Sequence, residues 1–285
     1  MKEKNIKQEL IERLPAEVKP QFEQIILPYW HETTRGAPNP ILRSALFAAI
    51  QGKTREYLKS VFIASFGDIK ISFTGMQLDQ SDLDVWEQAI HLARRDELGN
   101  VCYFRANSFL KAIGRSNSKT SYIWLKESID RLIACSVEIE STSLNITYSG
   151  NLIHDCTKNH NTGIYSLTLN PKIIQLYSAN NWTAIQWSQR MKLKRKPLAL
   201  WLFGFYSTHA APYPIKLETL RDLSGSKTKN LYNFKIAVQE AFTLLEEHAG
   251  MKVSFDKDDL VCVERLPAFI NLAQQKHLNK ITNKR

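Results

Sequence analysis

"AIGRSNSKTSYIWLK" (Ala112–Lys126) runs from a glycine through hydroxyl and basic side chains into apolar residues at helical spacing. "DLSGSKTKNLYNFK" (Asp222–Lys235) has the same make-up. A glycine that can turn left-handed ends one helix, and a Ser, Thr or Asn a few residues on caps the next. Each phrase therefore reads as the turn between a short helix and a longer one.

The flanks extend the reading. "SDLDVWEQAIHLARR" predicts a helix with Ser81 and Asp82 as cap candidates and Leu83, Trp86, Ile90 and Leu92/Ala93 as its apolar stripe. "VCYFRA" is a short strand, and "NSFLKAIG" is a short helix begun by Asn107 or Ser108 and stopped by Gly114. "SKTSYIWLKESIDRLIA" turns Leu125, Ile129 and Leu132 inward. "SVEIES" through "NITYSG", and then "GIYSLTLN", are the closing strands, with "NLIHDCTKNHNT" as the loop between them. Upstream, "PNPILRSALFAAI" has apolar residues at helical spacing and "GDIKISFTG" alternates like a strand.

The order recurs in the second half. "KPLALWLFGFYSTHA" is a helix, "YPIKL" a strand, "ETLRDLSG" a short helix, "NLYNFKIAVQEAFTLLEEHAG" a long helix and "KVSFDKDDLVCVERL" a hairpin. Ser108 and Gly114 map onto Thr219 and Gly225 at an offset of 111, whereas Leu125, Ile129 and Leu132 map onto Val238, Phe242 and Leu245 at 113. A two-residue difference in the turn reconciles the offsets. Helix, strand, helix, turn, helix and hairpin is the order of a winged helix-turn-helix. The expected fold is thus α+β, with two tandem winged helix-turn-helix domains and a flexible N-terminal arm. The divisions are an arm at 1–35, a first domain at 36–178, and a second at 179–285 that ends in a basic tail.

Composition narrows the function. No apolar run approaches the ~20 residues of a membrane span, and the charged start "MKEKNIKQELIERL" has no apolar signal core, so a cytoplasmic location is expected. Four dispersed cysteines without a CxxC pair fit reduced thiols. The net charge is +10, and residues 141–217 hold eight Lys/Arg against one acid, Asp155. Such clustering favours a polyanionic partner, nucleic acid before a membrane surface.

The repeated phrase is not a Walker A loop, because Ser118 precedes Lys119 where that loop needs its second glycine, and "GSKT" lacks the spacing. Phosphate binding at a helix N-terminus suits it better. Arg115, Ser116 and Lys119 hold that position in the first unit, and Lys227, Thr228 and Lys229 in the second. With Leu125 and Val238 inward, Lys119, Thr120 and Ile123 turn outward on one helix, as do Tyr232, Asn233 and Ile236 on the other. The outward isoleucines either meet thymine methyl groups in a major groove, with Asn233 pairing an adenine edge, or touch a neighbouring wing. Lys158 in "HDCTKNH" sits at a hairpin tip able to brush phosphate, whereas His154, Cys156 and His160 have no second ligand cluster, so no metal is expected. Lys194, Arg195 and Lys196, just before the second unit, are candidate phosphate contacts. No catalytic grouping is legible and no cofactor is expected, so the chain reads as a non-enzymatic DNA-binding protein.

"APNPILRSALFAA", "ISFTGMQLDQSDLDVWEQAIHLAR", "FLKAIGRS" and "NWTAIQWSQRMKLKRKPLALWLFGFYSTHAAPYPIKLETLRDLSGS" together resemble the TrfA family of plasmid replication initiators, from about residue 26 to 250. The resemblance implies a protein that binds iterons in double-stranded origin DNA, opens an adjacent AT-rich region whose single strand it contacts, and recruits the host initiator and helicase. It also implies a homodimer in equilibrium with the monomer. Relatives carry a sliding-clamp-binding pentapeptide, Q-L-x-L-W/F; the matching place here is "ILPYW", with Ile26 where the glutamine belongs. Tyr29 and Trp30 then either bind the clamp or, in the case of Trp30, anchor the arm to the first domain. The alternative function is a winged-helix transcriptional repressor without initiation activity.

Overall fold

The computed structural model describes residues 27–51, 54–95, 100–142, 146–266 and 269. Most of the expected arm (1–26) and the expected basic tail (270–285) lie outside the described residues.

Strand Thr34–Pro38 (β1) leads into one helical turn, Asn39–Leu42 (α1), and the two-residue strand Phe47–Ala48 (β2). The helix expected over "PNPILRSALFAAI" therefore stops after that turn. Its apolar residues are instead spent on both sides of an irregular segment, with Leu42, Leu46, Phe47 and Ala48 all buried. A hairpin follows, Tyr57–Ile63 (β3) and Ile69–Met76 (β4), and then Leu78–Asp79 (β5) feeds the helix Gln80–Ala93 (α2). Asp79, rather than Ser81 or Asp82, caps α2, accepting from Ser81 N at 2.9 Å and Asp82 N at 3.1 Å. Asp82 completes the box by accepting from Asp79 N. It also takes Ser128 Oγ at 2.6 Å and ion pairs from Arg55 and Arg131, so a fully buried carboxylate is matched by partners from distant stretches of the chain.

Val101–Arg105 (β6), Ala106–Ala112 (α3) and Lys119–Ala134 (α4) follow as expected. Leu125, Ile129 and Leu132 are buried, and Ser118 caps α4 by accepting from Ser121 N at 3.2 Å. The next four strands correct the expected wing. Ser136–Ser141 (β7) and Ile146–Gly150 (β8) pair with each other, but they extend the β3–β4 hairpin into a four-stranded sheet of order β3-β4-β7-β8. Val137 and Ile139 lie opposite Phe73 and Ile71, which puts one apolar face on the core. Ile153–Lys158 (β9), expected to be loop, pairs antiparallel with Ile164–Leu169 (β10) in a hairpin of its own. With β6 they make an antiparallel sheet of order β6-β10-β9.

A 3-10 segment, Pro171–Asn180, leads to Trp182–Gln186 (β11), which pairs antiparallel with β1. Trp187–Lys192 (α5) and Pro197–Ser207 (α6) come next. Then Ile215–Lys216 (β12), Leu217–Leu223 (α7), Leu231–Ala249 (α8), Met251–Phe255 (β13) and Leu260–Arg265 (β14) repeat the earlier order. Their sheet, β12-β14-β13, has the same arrangement as β6-β10-β9. The buried positions Ser121, Leu125, Ser128, Ile129 and Leu132 of α4 recur in α8 as Phe234, Val238, Ala241, Phe242 and Leu245. The two halves share one continuous hydrophobic core.

Candidate nucleic-acid interface

Two exposed helix faces carry the residue types that read bases. On α4, Lys119, Thr120 and Ile123 are exposed, Ile123 to 50%. On α8, Tyr232, Asn233 and Ile236 are exposed, Ile236 to 38%. Each apolar side chain stands among polar neighbours on the outward face. The reason is the inward phase of the two helices, which is set by the five matched core positions. Asn230 caps α8 by accepting from Asn233 N at 3.2 Å, a bond to the Asn233 backbone that leaves its side-chain amide unused by the cap.

The turns before these helices are braced from the opposite half of the molecule. Gly114 is left-handed (φ 68°), and its carbonyl accepts from Lys194 Nζ at 3.2 Å. Trp187 Nε1 donates to Ala112 O at 2.8 Å. Lys194 and Arg195 thus line the same cleft, about 630 Å³, as Gly114, Arg115 and Ser116. Lys194, Arg195, Lys196, Ser116 and Lys119 are all exposed, so basic and hydroxyl groups from two segments converge at the start of α4. Arg195 holds a left-handed backbone (φ 66°), a conformation costly for a residue with a Cβ.

Arg115 departs from the expected surface role. Its guanidinium is half-buried and lies 3.2 Å from the Trp124 ring centroid. Burial lowers its pKa, with Asp84 and Asp79 acting in the other direction. Stacking fixes the guanidinium plane at the mouth of the cleft and so orients any donor it offers. Arg190, one of the eight basic residues between 141 and 217, is fully buried, donating Nε to Asp84 at 2.6 Å and Nη2 to Gln80 O at 3.1 Å, so it adds nothing to the outer basic surface.

In the second half, Gly225 is left-handed (φ 62°), and the preceding Ser224 carbonyl accepts from Ala49 N at 2.7 Å. Lys229 is exposed and Thr228 half-exposed. Lys227 is ion-paired to Glu56 at 2.7 Å, a contact between residues 171 apart that no local pattern signals. Lys158 ends β9 beside the tip of the β9–β10 hairpin, where it lies 5.4 Å over the Tyr165 ring. The tip itself is held by Asn159 Oδ1, which accepts from Asn161 N and Thr162 N. Arg105, missed in the sequence, donates to Thr162 O at 3.0 Å and presents a further cation at that tip.

The arm is a correction. Leu27, Trp30, Thr34 and Arg35 are buried, so the flexible segment expected up to residue 35 is packed from Leu27 onward. Trp30 is 3% exposed, donates Nε1 to His91 Nδ1 at 3.1 Å and stacks on Tyr177 at 6.0 Å. His91 Nε2 faces Glu32 Oε2 at 3.1 Å. Because Nδ1 accepts the indole proton, the ring is neutral with its own proton on Nε2, and burial accordingly lowers its pKa to about 4. Tyr29 alone of the expected clamp-binding pair is open, at 82% exposure. Trp30 can fill a partner's pocket only by leaving this site.

His154 lies on β9 and His160 at the tip, and no group of three or more metal-ligating side chains occurs among the described residues. No described helix is long and apolar enough to cross a membrane.

Known proteins share parts of this sequence and fold. The curated plasmid replication initiator protein TrfA of Escherichia coli is 29% identical over 242 residues, covering 83% of this chain; the chain spans 63% of that relative's length. The crystal structure of domains 2 and 3 of RctB superposes with a TM-score of 0.55 at 12% identity, over 80% of this chain and 98% of that one, which shows a shared fold. The Pi initiator protein in complex with iteron DNA aligns with a TM-score of 0.49 at 15% identity, over 65% and 91% of the two chains. The family model described as TrfA protein matches residues 9–265, and on that match the chain belongs to the TrfA family.

Proposed function

We propose that this chain is a plasmid replication initiator that binds iteron repeats in double-stranded DNA, promotes opening of an adjacent AT-rich stretch and recruits host replication proteins, without catalysing a reaction itself. Two winged helix-turn-helix units, 36–178 and 179–285, do the binding, with the β1–β11 ladder at their seam. The observation that carries the reading is the recurrence of one outward face, Lys119, Thr120 and Ile123 on α4 and Tyr232, Asn233 and Ile236 on α8, in a chain of this family. The name of the Escherichia coli relative supports the same activity.

In this reading α4 and α8 enter successive major grooves. Ser116, Lys119, Lys194, Arg195 and Lys196 take phosphates beside the first, and Thr228 and Lys229 beside the second. Each phosphate neutralised releases counterions, so affinity falls with salt. Tandem unlike units fit direct repeats, whereas a single module paired by two-fold symmetry fits a palindrome.

The test is fluorescence anisotropy with duplexes from the DNA flanking the gene. Direct repeats should bind at least ~10³-fold more tightly than the same bases scrambled. Equal affinity for both would remove the iteron reading, and preference for one palindrome would replace it with the repressor.

A further inference from the structure

Two lysines beside the outward face of α8, Lys227 and Lys235, are held before any DNA arrives. Lys227, in the turn before α8, gives its ammonium to Glu56 Oε1 and to the Thr54 carbonyl. Lys235, one position before the outward Ile236, is bonded to Asp259 Oδ1 at the tip of the β13–β14 hairpin and lies 4.7 Å over the Phe255 ring. The two carboxylates come from unrelated places in the chain. Both carboxylates are well exposed, at 66% and 68% of the side chain, while the lysine side chains keep 34% and 27% of theirs, so each pair sits at the surface and not in the core. The hairpin tip, Asp256-Lys257-Asp258-Asp259, is net negative, whereas the tip of the β9–β10 hairpin, Lys158 to Gly163, contains no acid. Contact with Lys235 places this acidic tip beside the reading face of α8.

A carboxylate that grips a lysine uses the same ammonium protons, and the same sign of charge, as a phosphate oxygen would. Exposed ion pairs are weak, so phosphate can displace them, but each displacement takes something from the affinity for every duplex. Base contacts restore it only on the right sequence, which is discrimination by an opposing element. We propose that Glu56 and Asp259 act as phosphate mimics that hold Lys227 and Lys235 off DNA and make the second unit depend on base contacts. This rests on α8 being a DNA-reading helix.

The experiment compares wild type, Glu56→Gln, Asp259→Asn and the double variant by anisotropy on a random-sequence duplex across a salt series. Each single variant should bind about two- to fivefold more tightly, the range for releasing one exposed ion pair. The slope of log K against log salt should steepen by ~0.9 for each lysine set free. The gain should vanish when Glu56→Gln is combined with Lys227→Met, and Asp259→Asn with Lys235→Met. Glu140→Gln, which frees Lys70 on the four-stranded sheet, should gain nothing. Unchanged binding by the variants, a gain that survives the methionine backgrounds, or an equal gain from Glu140→Gln overturns the proposal while leaving DNA binding intact. Failure of every protein to bind any duplex takes down the DNA-reading role of α8 and this inference together.

Discussion

Arg190 divides its charge unequally between two carboxylates. Asp84 takes Nε at 2.6 Å, while Glu87 stands at 3.6 Å with no hydrogen-bond partner for either oxygen among the described residues. Burial pushes the Glu87 carboxyl from 4.5 up to about 7, with Arg190 pulling the other way. A carboxyl raised by folding stabilises the fold below its unfolded pKa, and that contribution is lost as pH rises through the folded value. Glu87 therefore weakens the fold between pH 4.5 and about 7, by ~3 kcal/mol at most. His91 and His209 have the opposite sign: burial lowers each from 6.5 to about 4, so their stabilisation is present above 6.5 and is lost as pH falls toward 4. Glu87→Gln should be more stable than wild type above pH 7 and should rise more steeply with pH between 4.5 and 6.5, read by urea titration at each pH. Parallel curves for the two proteins would mean that Glu87 is ionised in the fold. On the outer face, Asn233→Ala or Ile236→Ala should lower specific binding by ~1–3 kcal/mol at unchanged melting temperature, since neither side chain enters the core. An equal loss on random duplex would deny them a base-reading role.

At the scale of elements, the two turn glycines are not equivalent. Both are left-handed, but a Cβ on Gly225 would stand 2.8 Å from Ala48 Cβ, whereas one on Gly114 would meet the flexible Met191 at 3.3 Å. Gly225→Ala should cost roughly 2–4 kcal/mol, strain plus overpacking, and Gly114→Ala only ~1–2. Urea midpoints at constant m-value would check this, and equal costs would show that the second turn is loosely seated on residues 45–48. Those turns and long helices were legible in the sequence because caps, glycines and a 3.6-residue period are local signals. β9 was not, because His154–Lys158 has only half-buried Cys156 for an apolar rhythm after Ile153. The four-stranded sheet escaped for another reason: Phe73 meets Val137, which meets Gly150, and such pairings are set by packing between distant segments. Of the candidate site, the outward triplets could be read from helical phase. The grips on Lys227 and Lys235 and the stacking of Arg115 could not, since they depend on partners brought in by the tertiary fold.

Over the whole molecule, each half supplies the brace for the other's turn. Trp187 and Lys194 hold the first, residues 45–49 and Glu56 hold the second, and Arg190 joins α5 to α2 through a buried ion pair. Trp201 Nε1 in α6 donates to Ser44 O at 2.9 Å, and β1 and β11 form one ladder across the seam. A single hydrophobic cluster runs through all of these elements. The distance between α4 and α8 is therefore fixed by core packing, not by a linker, and neither half can leave the other without breaking the Trp201–Ser44 bond, the Arg190–Asp84 pair and the β1–β11 ladder. Interfaces between loosely joined domains are small and polar; this one is apolar and carries a buried salt bridge whose separation would strand Asp84. We predict that the chain unfolds in one cooperative transition, with calorimetric and van't Hoff enthalpies equal. The fragment 179–285 alone should lack dispersed side-chain NMR signals, and Arg190→Met should lower the stability of the intact chain by ~3–5 kcal/mol without splitting the transition. Two separate transitions, together with a folded fragment, would show that the halves are independent bodies and that core packing does not fix the spacing of α4 and α8.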